Sequence, residues 1–149
     1  MLVYQKEEMD MAVYGVGAYY DEDVTKDFID EECFCIGYDK SDATTLYEML
    51  RRAKIGDIVY IKSFSPKSRE KITIKAIGFI VGRTIKEFYF QNGNSMGYGR
   101  NVKWVKDFSD CWKEIKLTKN DSVNNVYSNT MYEEYSSRII KEILDLIFE

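Results

Sequence analysis

The chain contains no histidine. Catalytic triads, histidine-activated cysteines and most metal-hydrolase mechanisms depend on imidazole, so all of these are excluded. Three cysteines are the only soft ligands left, too few for a structural zinc site, and neither a metal nor any other cofactor is expected. Cys33 and Cys35 flank Phe34, and on a strand they point the same way but lie too far apart to pair comfortably. A reducing, cytoplasmic setting is the expectation, and the first eight residues lack a basic-then-apolar leader pattern. No apolar run reaches membrane-spanning length, so no membrane partner is expected either.

What remains reads as an ordinary globular chain. Its 149 residues are 45% hydrophobic and 31% charged, enough for one domain over 1–149, with 1–11 a loose leader or an edge strand. Charge is unevenly spread. Residues 1–50 hold 3 lysines and arginines against 13 aspartates and glutamates, whereas 51–119 hold 16 against 6. The basic middle block is suited to phosphate, and the acidic first third either folds against it or faces a basic partner.

The stretch 53–82 organises the rest. Residues 53–64 and 71–82 are rich in β-branched side chains and free of proline, and 65–70 is polar turn material around Pro66, so the two runs read as an antiparallel hairpin. Alternation puts Ile72, Ile74, Ala76 and Ile80 on one face with Gly78, and Thr73 and Lys75 on the other. Asp57, after Gly56, bonds the turn's own backbone and is left out of any site.

Residues 11–20 read as a strand whose Gly15 and Gly17 permit a bulge or a close approach. Asp21-Glu22-Asp23 lacks the glycine and distant glutamate of a calcium loop, and Thr25 caps a short helix through Phe28 and Ile29. Glu32 to Gly37 is a second strand. Thr45-Leu46-Tyr47-Glu48 fits a capping box for a helix carrying Leu46, Met49, Leu50 and Ala53. Residues 84–90 continue as strand, 91–99 form a mobile loop, and 100–105 and 110–117 return as strands. Tyr132, Tyr135, Ile139, Ile143 and Leu146 mark a terminal amphipathic helix.

Several of these pieces resemble a known group. Lys54-Ile55-Gly56-Asp57-Ile58-Val59-Tyr60-Ile61-Lys62-Ser63, followed by Ile72-Thr73-Ile74-Lys75-Ala76-Ile77-Gly78-Phe79-Ile80-Val81, resembles the central hairpin of the PUA-like barrel superfamily, which includes EVE, ASCH and YTH domains. Val13 to Tyr19, Phe28-Ile29, Ile36-Gly37-Tyr38-Asp39, Val102-Lys103-Trp104-Val105 and Asn129 to Glu134 resemble further pieces of EVE-type modules, in order. The chain departs from that pattern in having no lysine at the end of the first strand and Tyr38 where tryptophan is commoner. The implied fold is α+β: a small, mostly antiparallel PUA-like β-barrel with two short helices and a C-terminal helix.

The resemblance also implies a function, the reading of a modified base in nucleic acid, DNA or RNA, in the service of bacterial or phage defence. Carried over residue by residue, the pocket wall comprises Gly17, Ala18, Tyr19, Tyr38, Asp39, Ser63, Phe64, Trp104 and Thr130. Aromatic rings would stack on the base, and Asp39, Ser63 and backbone groups would meet its edge. Arg51, Arg52, Lys62, Lys67 and Arg69 would contact phosphates. Phe64 and Trp104 have a second reading as core, because 12 tyrosines and 8 phenylalanines put rings near every point. Tyr19 and Tyr20 point oppositely on a strand, so at least one should be exposed.

Two other functions stand beside the reader. ASCH-type relatives include hydrolases of acylated nucleosides built on lysine, threonine and glutamate, for which Lys62 or Lys75, Thr73 and Glu70 are the candidates here. Thr73 and Lys75 are expected to face away from the core, which does not gather a catalytic cluster. The acidic first third, with Asp21, Glu22, Asp23, Asp27, Asp30, Glu31 and Glu32, would instead make a protein-interaction module.

Overall fold

A computed structural model of the chain describes residues 11–37, 41, 43–65, 68–118 and 130–149, and at 64, 65, 68 and 69 the backbone only. Eight strands and three helices lie among the described residues. The strands are β1 (Val13–Val16), β2 (Cys33–Cys35), β3 (Ile58–Ser65), β4 (Ser68–Ile80), β5 (Lys86–Tyr89), β6 (Ser95–Asp107), β7 (Lys113–Lys116) and β8 (Met131–Glu133). The helices are α1 (Thr25–Asp30), α2 (Thr44–Arg52) and α3 (Ser137–Ile147). The fold is α+β, a curled, mostly antiparallel sheet forming a half-barrel, as the resemblance implies. Strand order is β2-β6-β4-β3-β1-β8, with β5 on β6 and β7 on β4, and β1 runs parallel to β3. No helix among the described residues is long and apolar enough to cross a membrane.

Both faces of the sheet are buried. Tyr14, Val16, Val59, Ile61, Ala76 and Ile80 share one core with Phe28 of α1 and Leu50 of α2. Val13, Ile58, Tyr60, Ile72, Ile74 and Ile77 share the other with Ile139 and Ile143 of α3. The expected common face of Ile72, Ile74, Ala76 and Ile80 is therefore split. Ile61 pairs with Ala76 and Lys62 with Ile74, so Lys75 is an extra residue in β4 and reverses the side on which its successors fall. Lys75 is not turned to solvent but buried at 7% exposure.

Three further expectations shift. The stretch 91–99 is not an open loop: Phe90 donates its N–H to Asn94 O, Gly93 takes a φ of 91°, and β6 begins at Ser95. Glycine there meets a left-handed turn, which leaves a tight β5–β6 hairpin. Helix α2 begins at Thr44 after Ala43, with no side-chain cap, so Thr45 caps nothing. The terminal helix starts only at Ser137, where Ser136 caps it by accepting from Ile139 N–H. Tyr132 sits instead in β8, opposite Gly15 of β1. Apolar residues at helical spacing ran on past the helix because Tyr132 serves the same core from a strand.

The Asp57 turn behaves as expected. Its buried carboxylate accepts from Ala12 N–H, Lys54 N–H and Lys54 Nζ at 3.0, 2.9 and 3.0 Å, fixing the approach to β3.

Candidate nucleic-acid interface

The ends of β1 and β3 lie side by side because the two strands are parallel, Val16 opposite Ile61. Gly17 continues β1 and donates its N–H to Thr130 O at 2.9 Å, so these two proposed wall residues do meet. A Cβ on Gly17 would touch nothing within 4 Å, leaving open space beside the strand end. Ala18 is buried in the core under α1 and accepts from Val24 N–H. Ser63, on β3, is half-buried and pairs with Thr73.

Tyr19 and Tyr20 lie past the end of β1, in a turn where Tyr20 donates its N–H to Glu22 O, and their side chains diverge. Tyr19 is 72% exposed. Tyr20 turns inward, meets Phe28 and Phe90 edge-on at 6.1 and 6.3 Å between centroids, and donates its hydroxyl to Met96 O at 3.0 Å. Its ring lies against Gly37, where a Cβ would come within 3.0 Å of Cζ. Gly37 and Gly97 both have positive φ and their backbones nearly touch, so the exit of β2 and the β5–β6 hairpin close over this ring. Beside them Tyr98 and Tyr47 lie 5.9 Å apart, and Tyr98 O accepts from Ile36 N–H. Tyr98 is thus the exposed ring seated at the β2 exit, while Tyr19 and Tyr89 are exposed on their own segments.

Tyr38 and Asp39 follow that exit but lie, with Lys67, outside the described residues; for Phe64 and Arg69 only the backbone is described. Trp104 is half-buried, stands opposite Gly78 and donates its indole N–H to Phe28 O at 3.1 Å, so it packs beneath α1. Tyr20, Phe90, Tyr98 and Tyr47 were passed over in sequence. The signal available was the alternating ring run Phe88-Tyr89-Phe90, which as a hairpin strand must put rings on both faces.

Among the basic residues, Arg51 is exposed and 3.1 Å from Glu48, and Arg52 is exposed at the end of α2. Lys62 is buried at 6% exposure, with its ammonium 5.5 Å from the Tyr132 ring centroid. Beside it Tyr60 and Tyr132 share a 2.7 Å hydrogen bond, and Tyr60 donates onward to Glu134 at 3.0 Å. Burial pushes both phenols up. Burial also pulls Lys62 down to about 8 from 10.5.

That depression has a sign. Between about pH 8 and 10.5 the unfolded chain holds the Lys62 proton and the folded chain has released it. The unfolded state then binds more protons, so stability rises with pH across that window, and below it the burial penalty is fully present. Lys62→Met is expected to stabilise the fold at pH 7 by about 2–3 kcal/mol and to flatten the rise. Urea midpoints for both proteins at pH 7 and pH 10 check this; a stabilisation that stays equal at both pH values contradicts it.

The hydrolase trio does not gather around Lys75, whose Nζ is bound to Asp23 at 2.7 Å, while Thr73 lies opposite Glu114 and Ser63.

No protein-family model matches the chain, and no curated protein matches it in sequence. Solved structures do match. One is a YTH domain of the Zygosaccharomyces rouxii MRB1 protein, in complex with N6-methyladenosine RNA, at a TM-score of 0.54. The fold is similar to that of a YTH domain. The YTH likeness covers 93% of this chain and 88% of that one at 14% identity, so it concerns the path of the backbone. A hypothetical protein from Leishmania major matches at a TM-score of 0.51 and 9% identity, over 92% of this chain and 97% of that one. Of the three groups that the sequence resembles, YTH is the one met among these structures; the likeness does not single out the EVE type. Most of the YTH-like half-barrel is ordinary core, and its ring-bearing end is the β2 exit.

Proposed function

We propose that this chain is a non-catalytic reader, a single PUA-like domain that holds a modified base of a nucleic acid against the rings around the β2 exit. The observation that carries the reading is the YTH-like fold over 93% of the chain, in a neighbour whose structure is a complex with N6-methyladenosine RNA. Gly17, Tyr19, Ser63 and Thr130 supply the strand-end wall, with Tyr38, Asp39 and Phe64 proposed beside them; Ala18 and Trp104, expected in that wall, pack in the core under α1 instead. Tyr20 and Phe90 pack edge-on behind Gly37 at the β2 exit. Tyr19 offers the uncovered aromatic face that a flipped base needs. Arg51 and Arg52, exposed on α2, are the phosphate contacts, together with Lys67 and Arg69; Lys62, expected among them, is buried beside Tyr132 and is not one.

Fluorescence anisotropy at low salt tests this, using short RNA and DNA strands with N6-methyladenosine, 5-methylcytosine or no modification. Saturable binding that prefers one modified strand is expected. Tyr19→Ala should weaken it by about tenfold, the effect of losing one base-stacking ring, without changing the urea midpoint. No saturable binding to any strand, or equal affinity for modified and unmodified ones, overturns the reading.

A further inference from the structure

On the side of the sheet where α1 packs, a cavity of about 480 Å³ opens among Asp23, Thr25, Ile29, Asp30, Asp107 and Trp112. Its most unusual component is an indole: Trp112 is 51% exposed, although nothing in the half-barrel requires a large ring in solvent there. The Lys75 bulge explains how the site is built. By displacing Lys75 from the expected alternation, the bulge brings its ammonium to 2.7 Å from Asp23 Oδ2 and 4.6 Å from the Trp112 ring centroid. The protein thus already seats one ammonium group between a carboxylate and this ring. Hydrogen bonds from Lys75 and Thr25 hold the Asp23 carboxyl below its usual range, outweighing the burial that raises it.

The remaining groups ask for a second cation. Asp30 is exposed and has no ion-pair partner among the described residues. Asp107 is oriented by Ser109, whose N–H donates to Oδ1 at 2.9 Å. Three carboxylates face two ammonium groups, those of Lys75 and Lys26, which leaves one negative charge in surplus. Thr25 also lines the cavity, at 8% exposure, and donates its N–H to Asp23 Oδ1 at 2.8 Å. In sequence Asp21, Glu22, Asp27 and Glu31 flank these residues, and such an acidic stretch repels phosphate and attracts basic chains.

We infer that this cavity is a docking site for a basic protein segment, taking one lysine or arginine side chain against the open indole of Trp112 and the Asp30 carboxylate. Cation–π contact supplies the packing, and the surplus carboxylate supplies the charge. Tyr19, the ring proposed to stack a base, is bridged to Asp23 of this cavity, so a basic segment and a nucleic acid would bind side by side.

Calorimetric titration of the full chain at low ionic strength, with a nonapeptide alternating glycine and lysine, tests the inference. The same peptide with acetylated lysines is the control. Saturable binding of the free-amine peptide is expected, lost on acetylation. Trp112→Ala and Asp30→Lys should each weaken it by about tenfold or more. Both residues are exposed, so circular dichroism should show both variants folded. Equal binding of the acetylated peptide, no binding, or binding untouched by either substitution overturns the inference. An oligonucleotide that binds more tightly to Asp30→Lys and is displaced from Trp112 would assign the cavity to nucleic acid instead. Base reading is tested on its own by Tyr19→Ala in the anisotropy assay, so failure of peptide binding and failure of base binding are read separately.

Discussion

Arg100→Ala is expected to lower the unfolding free energy by about 3–5 kcal/mol, since each buried acceptor left without a donor costs about 1–3 kcal/mol. Arg100 is 2% exposed. Its guanidinium donates to Leu50 O at 2.8 Å, to Ala53 O at 2.5 Å and twice to Gly82 O, at 3.2 and 2.5 Å. Leu50 and Ala53 end α2, where carbonyls have no further helical donor, and Gly82 follows β4. One planar fork therefore ties a helix end to two strands. Burial pulls the Arg100 proton affinity down, but arginine keeps its charge, so the bonds persist across the working pH range. Arg100→Lys should recover only part of the loss, because one ammonium cannot span three carbonyls. Urea unfolding at pH 7 measures both; a loss below about 1 kcal/mol for alanine would show that water replaces the fork at little cost.

Gly99→Ala is expected to be as damaging for a different reason. Gly99 lies on β6 opposite Cys35 of β2 and opposite Lys86 of β5. A Cβ there would overlap Phe34 O and stand 2.7 Å from Phe34 C and 2.8 Å from Cys35 Cα. These are backbone atoms of a strand whose side chains are all buried, so relief requires β2 to leave β6. Because β2 pairs over only three residues, such a shift removes most of its ladder. A loss of about 3 kcal/mol, at the upper end of the overpacking range, is expected. Since β2 leads into Gly37, the variant should also lose modified-base binding beyond what its stability explains, read by anisotropy below its unfolding transition. Unchanged affinity in folded Gly99→Ala would detach the reading site from the β2 exit.

Much of the molecule was legible in sequence wherever one local rule acts alone. The 53–82 hairpin follows from β-branched runs around a polar turn, and Asp57 from a short carboxylate after glycine. The first helix, the second strand and the opposed directions of Tyr19 and Tyr20 follow similarly. Where two elements serve one core, the rules mislead. Tyr132 keeps helical spacing with Ile139 yet belongs to β8, since strand and helix both face Ile58 and Ile74. Lys75 should face solvent by alternation, but alternation holds only while no residue is inserted, and a bulge has no reliable mark in one sequence.

The candidate site divides in the same way. Tyr19 and Gly17 were expected on the first strand; β1 ends at Val16, and beyond it Tyr19 is exposed and Gly17 has open space beside it. Tyr20, Phe90 and Tyr98 come from segments up to 76 residues apart in the Tyr20 to Met96 contact, and are gathered by the β5–β6 hairpin folding onto the β2 exit. Sequence alone determined an α+β chain without imidazole chemistry, organised on one hairpin, because composition and short-range backbone preference are local properties. Which charges meet, which ring stands open beside Lys75, and that Arg100 braces a helix end were decided only by tertiary structure. Those outcomes depend on register, and register is set by the whole sheet at once.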